Sequence, residues 1–294
     1  MRIRLPNGRV IHGPSRGEAR LLFDEIFREQ VYLRNGVELH EGDVVLDVGA
    51  NLGLFSLFVA ETLHDVTIHA FEPVPDIFAC LRRNTSHLGS RIVARNVGLS
   101  DREGTAAFTY YPHLPCFSTS CPDRLEKRWA DLRDILIHLG DRSADGGGRG
   151  PFRGIRERLR SWGVGGLLYY ASRKKERVCT LTRLSQIIAE RRLDRIDLLK
   201  IDVEGSEWDV LRGIDEADWG KVKQLVVEVH DVESGPDGMA AWLEDRGYEV
   251  AIDRTNEDRR SPVSLIYARR RPEEAGSTNR SSRTIGRAGG PVAV

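Results

Sequence analysis

VVLDVGANLG, residues 44–53, is an apolar run that reaches an aspartate and then turns through two glycines around an asparagine. The apolar run reads as a buried strand. A strand, a tight glycine turn and a helix bring backbone N–H groups and a helix N-terminus against a ligand. The plainer alternative is a βα turn whose glycines serve only positive φ. Two glycines alone do not decide between them.

A second signal lies in HAFEPVP, where Glu72 follows the next apolar strand, 23 residues beyond Gly49. An acid at this spacing is placed to accept both ribose hydroxyls of an adenosine-type ligand. Nicotinamide dinucleotides use the same features, but their G-x-G-x-x-G fingerprint needs a glycine where this chain has Asn51. A side chain there obstructs a pyrophosphate and suits a ligand without phosphates. Asp47, at the strand's tip, repels a dianion yet could meet an ammonium group. Ribose, no phosphate and an amine describe S-adenosylmethionine.

Strands and helices alternate around these signals. Residues 17–32 carry apolar side chains at helical spacing. Helices are expected at 54–62 and 76–84, and strands at 66–71 and 92–99, with the extended TAAFTYY following. After an interruption the rhythm resumes with a helix at 181–192, a strand at 196–202, a helix near 206–212, a strand at 224–230 and a helix at 238–246. A hairpin closes the pattern. Such alternation predicts an α/β protein built on an open, mostly parallel sheet with helices on both faces.

A third signal is LLKIDVEGSEWDVLRG, residues 198–213, with LVVEVHD, residues 225–231. Strand periodicity puts Asp202 and Glu204 on one face, and Glu228 and His230 on one face of the next strand. Parallel pairing would gather these groups at the strands' C-terminal ends, where such sheets bind ligands. Glu207 reads as an acid favoured by the dipole of the next helix's first turn.

Together the stretches DVGAN, FEP and KIDVEG, in this order, resemble the FkbM family of S-adenosylmethionine-dependent methyltransferases, with likeness over most of residues 20–270. The resemblance implies a Rossmann-like methyltransferase fold with a seven-stranded sheet. It implies that Asp47, Gly49, Asn51 and Glu72 line the cofactor pocket, with Asn96 and Val97 or Leu99 and Ser100 beside the adenine. It also implies O-methylation of a hydroxyl on a sugar, polyketide or other natural product. For the hydroxyl's proton, His230 is the expected general base, with Asp202 or Glu228 orienting it. The alternative is a divalent ion such as Mg²⁺ held by Asp202, Glu204 and Glu228, which would lower the hydroxyl's pKa. Rival readings are a non-catalytic adenosine-binding scaffold and an NAD-dependent oxidoreductase.

Composition bounds the rest. The 294 residues carry 44 basic and 44 acidic side chains, so no overall field points to nucleic acid. Cys80, Cys116, Cys121 and Cys179 make neither a disulfide framework nor a zinc pattern. No apolar stretch approaches a membrane span and no signal peptide opens the chain, which predicts a cytoplasmic protein. Expected divisions are a helical lead-in at 1–40, the methyltransferase domain at 41–271 and a disordered tail at 272–294. Within that domain, residues 116–177 read as a helical lid insertion, with Phe117, Trp129, Trp162 and Tyr169 as packing anchors. Residues 149–177 hold nine Lys/Arg against two Glu, a net of +7, which suits an acidic small-molecule or carrier-bound acceptor or merely a solvated face. The sequence leaves a homo-oligomer open.

Overall fold

The computed structural model describes residues 1–111, 118, 174–230, 235–254 and 263–271. The chain opens with a hairpin, β1 (Arg2–Arg4) and β2 (Val10–His12), followed by α1 (Arg16–Phe23). The apolar run becomes β3 (Asp43–Val48), at the middle of a seven-stranded sheet. On one flank it pairs in parallel with β4 (Val66–Phe71), and β4 pairs with β5 (Ile92–Arg95). A separate three-stranded sheet joins β6 (Gly98–Leu99), β7 (Gly104–Tyr110) and β8 (Lys175–Thr182). On the other flank of β3 come β9 (Leu198–Ile201) and β10 (Gln224–Val229), both parallel to it. The outer strands are β11 (Tyr248–Asp253), at the edge, and β12 (Ser264–Arg270), antiparallel to both β10 and β11.

The order is therefore β11-β12-β10-β9-β3-β4-β5, the mostly parallel α/β sheet expected. The sequence of strands reverses between β3 and β9, and open α/β sheets bind ligands beyond the strand C-termini at such a point.

Residue parity sorts the two faces. Val45, Ile68, Leu198 and Val226 join one apolar layer, covered by α1, α2 (Leu54–Thr62) and α3 (Pro75–Thr85). Their neighbours Leu46, Leu199, Leu225 and Val227 join the other, covered by α4 (Leu184–Arg191), α5 (Glu207–Arg212) and α6 (Gly235–Glu244).

Several local expectations are corrected. The helix expected over 17–32 ends at Phe23 and passes into a π-helical turn, Asp24–Arg28, before the chain reaches Tyr32. The strand expected at 92–99 is two strands in two sheets, broken at Asn96 and Val97. Leu181 and Thr182 end β8 instead of starting a helix. Tyr110 pairs with Lys175, so the chain leaves β7 and re-enters β8 at one place. The lid expectations for Phe117, Trp129, Trp162 and Tyr169, most of the +7 stretch, and the tail lie outside the described residues.

Close approach fixes the glycine turn. Gly49 has φ +75°, and a Cβ built there would lie 1.7 Å from the carbonyl oxygen of Asp202. Gly49→Ala therefore combines a left-handed backbone with a backbone clash. The expected loss is about 2–5 kcal/mol of stability, read from the urea midpoint against wild type.

Candidate functional site

The C-terminal ends of β3, β4, β9 and β10 surround a cavity of about 450 Å³, within the usual range for small-molecule sites. Gly49, Asn51, Glu72 and Ser100 line one part of it, and Asp202, Glu204 and Glu228 line another. The cavity thus brings together the glycine turn, the acid after β4 and the carboxylates after β9.

The glycine turn is pinned from both sides. The N–H groups of Gly49 and Ala50 donate to the carbonyl of Phe71 at 3.1 and 2.9 Å. Glu72 accepts from Asn51 N at 3.1 Å through one oxygen and from Val74 N at 2.8 Å through the other. A carboxylate has about four acceptor sites, so each oxygen retains capacity for a ligand hydroxyl. Asn51 sits at φ +48°, a conformation asparagine tolerates. Its amide nitrogen donates to Glu18 at 3.3 Å, and its buried Oδ1 has no hydrogen-bond partner among the described residues. Asn51 and Glu72 together fit a phosphate-free ribose ligand.

Asp47 does not line the cavity. It shares the parity of Val45, so its side chain enters the layer beneath α2, where Ser56 donates to it at 2.7 Å. The ammonium it meets is the chain's own. Lys200, its register partner on β9, places Nζ 3.3 Å from Asp47 and 3.5 Å from Asp202, and donates to the carbonyl of Gly49 at 3.0 Å. Burial disfavours a charge on Lys200, but Asp47, Asp202 and Glu228 outweigh it and hold its pKa above the ordinary lysine value. Nor does Asn96 line the cavity. Its amide donates to the carbonyls of Glu72 and Pro73, both at 2.8 Å, and so braces the Glu72 turn from outside.

Asp202 and Glu228 meet under Tyr32, whose hydroxyl donates to Glu228 at 2.9 Å and to Asp202 at 3.3 Å. Burial and the Glu228 charge push Asp202 up to about 7. Burial would raise Glu228 as well, but the His230 ring 3.5 Å away and the Tyr32 hydroxyl hold it down at about 2. Lys200 stacks over the Tyr32 ring at 5.3 Å. Nothing in the local sequence pattern singles out Tyr32, because its partners Asp202 and Glu228 lie 170 and 196 positions away.

His230 is placed differently from expectation. It is buried behind the cavity wall formed by Asp202, Glu204 and Glu228 and is not part of the lining. Its Nδ1 lies 2.8 Å from Glu207, and because a carboxylate only accepts, Nδ1 carries the proton. Glu207, fully buried, also accepts from Gly205 N at 2.9 Å. It orients the imidazole, the task assigned from sequence to Asp202 or Glu228, because β10 ends beside the first turn of α5. Burial opposes a charge on His230, yet Glu204, Glu207 and Glu228 raise its pKa well above 6.5. An imidazole so clamped, and set back from the cavity, is poorly suited to take a proton from an acceptor.

The groups assembled among the described residues as potential metal ligands are Asp202, Glu228 and His230, so His230 takes the place expected for Glu204. Cys80 and Cys179 are free thiols, and no described helix is long and apolar enough to cross a membrane.

Glu72 generates a pH dependence. Burial raises its pKa from 4.5 to about 7, against the opposing pull of the Val74 and Asn51 N–H groups. The folded chain then keeps a proton that the unfolded chain has lost, so stability falls as pH rises from 4.5 to about 7. Glu72→Gln should flatten this fall by on the order of 3 kcal/mol, measured as the wild-type minus variant difference in unfolding free energy across that window. Parallel curves would exclude it.

The comparisons agree with the geometry. The Methyltransferase FkbM domain matches residues 47–250. The 31-O-demethyl-FK506 methyltransferase FkbM of Streptomyces tacrolimicus is 37% identical over 271 residues, which is 91% of this chain and 96% of that protein. Methyltransferase sdnD of Sordaria araneosa is 34% identical over 266 residues, covering 87% of this chain and 92% of that protein. Among solved structures, the methyltransferase FkbM from Methylobacillus flagellatus aligns with a TM-score of 0.46 and 14% identity, over 80% of this chain and 46% of that one. With its seven-stranded sheet and a family match spanning the site, the chain belongs to the FkbM methyltransferase family.

Proposed function

We propose that this chain is an S-adenosylmethionine-dependent O-methyltransferase acting on a hydroxyl of a natural product. The observation that carries the reading is the shared cavity, in which the Asn51 and Glu72 pair faces the same space as the Asp202 and Glu228 pair. The name of the Streptomyces relative, which specifies O-methylation of FK506, supports both the reaction and the acceptor class.

Glu72 would take the ribose hydroxyls on its remaining acceptor sites, and the unpaired Oδ1 of Asn51 would take a further donor. When bound, S-adenosylmethionine supplies an electrophilic methyl group on a sulfonium. The protein's task is to hold an acceptor oxygen in line with that methyl, to exclude water and to draw away the hydroxyl proton. Asp202 and Glu228 are the groups on the cavity wall suited to the last task. Tyr32 fixes both carboxylates and closes the cavity beside them. His230 and Glu207 support the pair from behind.

Two measurements test this. Glu72→Ala removes charge-assisted hydrogen bonds and should weaken S-adenosylhomocysteine binding about ten- to hundredfold by calorimetry. Asp202→Asn should leave that affinity nearly intact while lowering turnover of a hydroxylated acceptor by about 10² or more. Binding of NAD with no binding of S-adenosylhomocysteine would overturn the reading.

A further inference from the structure

The groups behind the cavity wall are arranged for more than electrostatic support. One oxygen of Asp202, one of Glu228 and a ring nitrogen of His230 lie within 4.8 Å of one another. His230 Nε2 is buried, aimed between the carboxylates at 3.5 Å from Glu228 and 3.5 Å from Glu204, and makes no hydrogen bond among the described residues. The residue is 7% exposed, so water does not satisfy that atom freely. Its other nitrogen donates to Glu207, which is itself held by the Gly205 N–H. A histidine that gives one N–H to a buried carboxylate and turns its second nitrogen toward two more has the arrangement of a metal ligand. Tyr32, donating to both Asp202 and Glu228, fixes the remaining two ligands in the same way.

We propose that Asp202, Glu228 and His230 Nε2 bind a first-row divalent cation at the edge of the acceptor half of the cavity. Two carboxylate oxygens with one imidazole nitrogen favour Mn²⁺, Fe²⁺ or Zn²⁺ over Mg²⁺, which prefers an all-oxygen shell. Bonds of about 2.1 Å place neighbouring ligands about 3 Å apart, so the three groups need to close by roughly 1–2 Å. Asp202 and Glu228 also face the cavity, which leaves the cation open to it on one side. An acceptor hydroxyl ligating the cation there would lose its proton more readily, to the Glu204 carboxylate on the same cavity wall, keeping the O–H electron pair on oxygen. This role rests on the O-methyltransferase reading, whereas the binding site does not.

The test uses the full chain, stripped with chelator and titrated with Mn²⁺ by electron paramagnetic resonance and calorimetry. Saturable binding of one Mn²⁺ per chain is expected, competed by Zn²⁺ more strongly than by Mg²⁺. Glu228→Gln and His230→Gln should each abolish it in samples whose circular dichroism matches wild type. Glu207→Gln, which changes the partner of the ligating ring and none of the three ligands, should weaken it by about ten- to hundredfold. S-adenosylhomocysteine affinity, measured on the same stripped samples, separates the two readings, because loss of cofactor binding would fault the methyltransferase assignment and not the metal site. No saturable Mn²⁺ or Zn²⁺ binding, or binding unchanged in Glu228→Gln and His230→Gln, would overturn the inference and leave His230 as an imidazolium caged by its carboxylates. If either variant misfolds, Glu207→Gln decides, and an unchanged affinity there counts against the site.

Discussion

The site rests on one buried cation. Lys200 is 3% exposed and lies between Asp47 and Asp202 while donating to the carbonyl of Gly49. Placing an ammonium and carboxylates away from water is costly, and their mutual attraction offsets that cost only when the geometry and the remaining hydrogen bonds are good. Here Ser56 satisfies the second oxygen of Asp47 and the Gly49 carbonyl takes a further proton of the ammonium. Removing one partner alone would strand a charge in an apolar layer. Together with the parallel ladder between the strands, the pair ties β3, β9 and the glycine turn to a single relative position.

Strand periodicity explains why those charges share a location. Asp47 follows Val45 by two residues, Lys200 follows Leu198, and Glu228 follows Val226. All three apolar leaders belong to one layer, so the polar residues emerge on that same face as the strands approach their C-terminal ends. The other face stays apolar through Leu46, Val48, Leu199, Ile201 and Val227. The sheet is thus two-sided in chemistry near its rim: dry beneath α4 to α6, and polar beneath α2 and the segment that brings in Tyr32.

The parts of this arrangement carried by local pattern were legible in sequence. The strand and helix alternation, the glycine turn, Glu72 and the shared face of Glu228 and His230 all follow from spacing along the chain. What depended on partners distant in sequence was not. Asp47 looked like a ligand for an external amine because Lys200, its register partner, is 153 positions away, and Tyr32 gave no sign of reaching Glu228. Glu207 was read as an acid at a helix start, since nothing local says that β10 ends beside it. The N-terminal hairpin did carry a local signal, Asn7-Gly8 between alternating apolar residues, of the type that marks a two-strand turn.

The two halves of the cavity are not mechanically independent. The glycine turn borders the part of the cavity lined by Asn51 and Glu72, and the end of β9 carries Asp202 in the other part, yet the place for a Cβ on Gly49 is taken by the Asp202 carbonyl. Lys200 bonds to one half through the Gly49 carbonyl and to the other through Asp202. Packed interiors deform little, so any shift of the turn would be passed to β9 by backbone contact and not through a flexible side chain. The sheet's switch point therefore does more than open a crevice. By bringing β3 and β9 together without an intervening side chain, it sets the distance between Asn51 and Glu72 on one side of the cavity and Asp202 and Glu228 on the other.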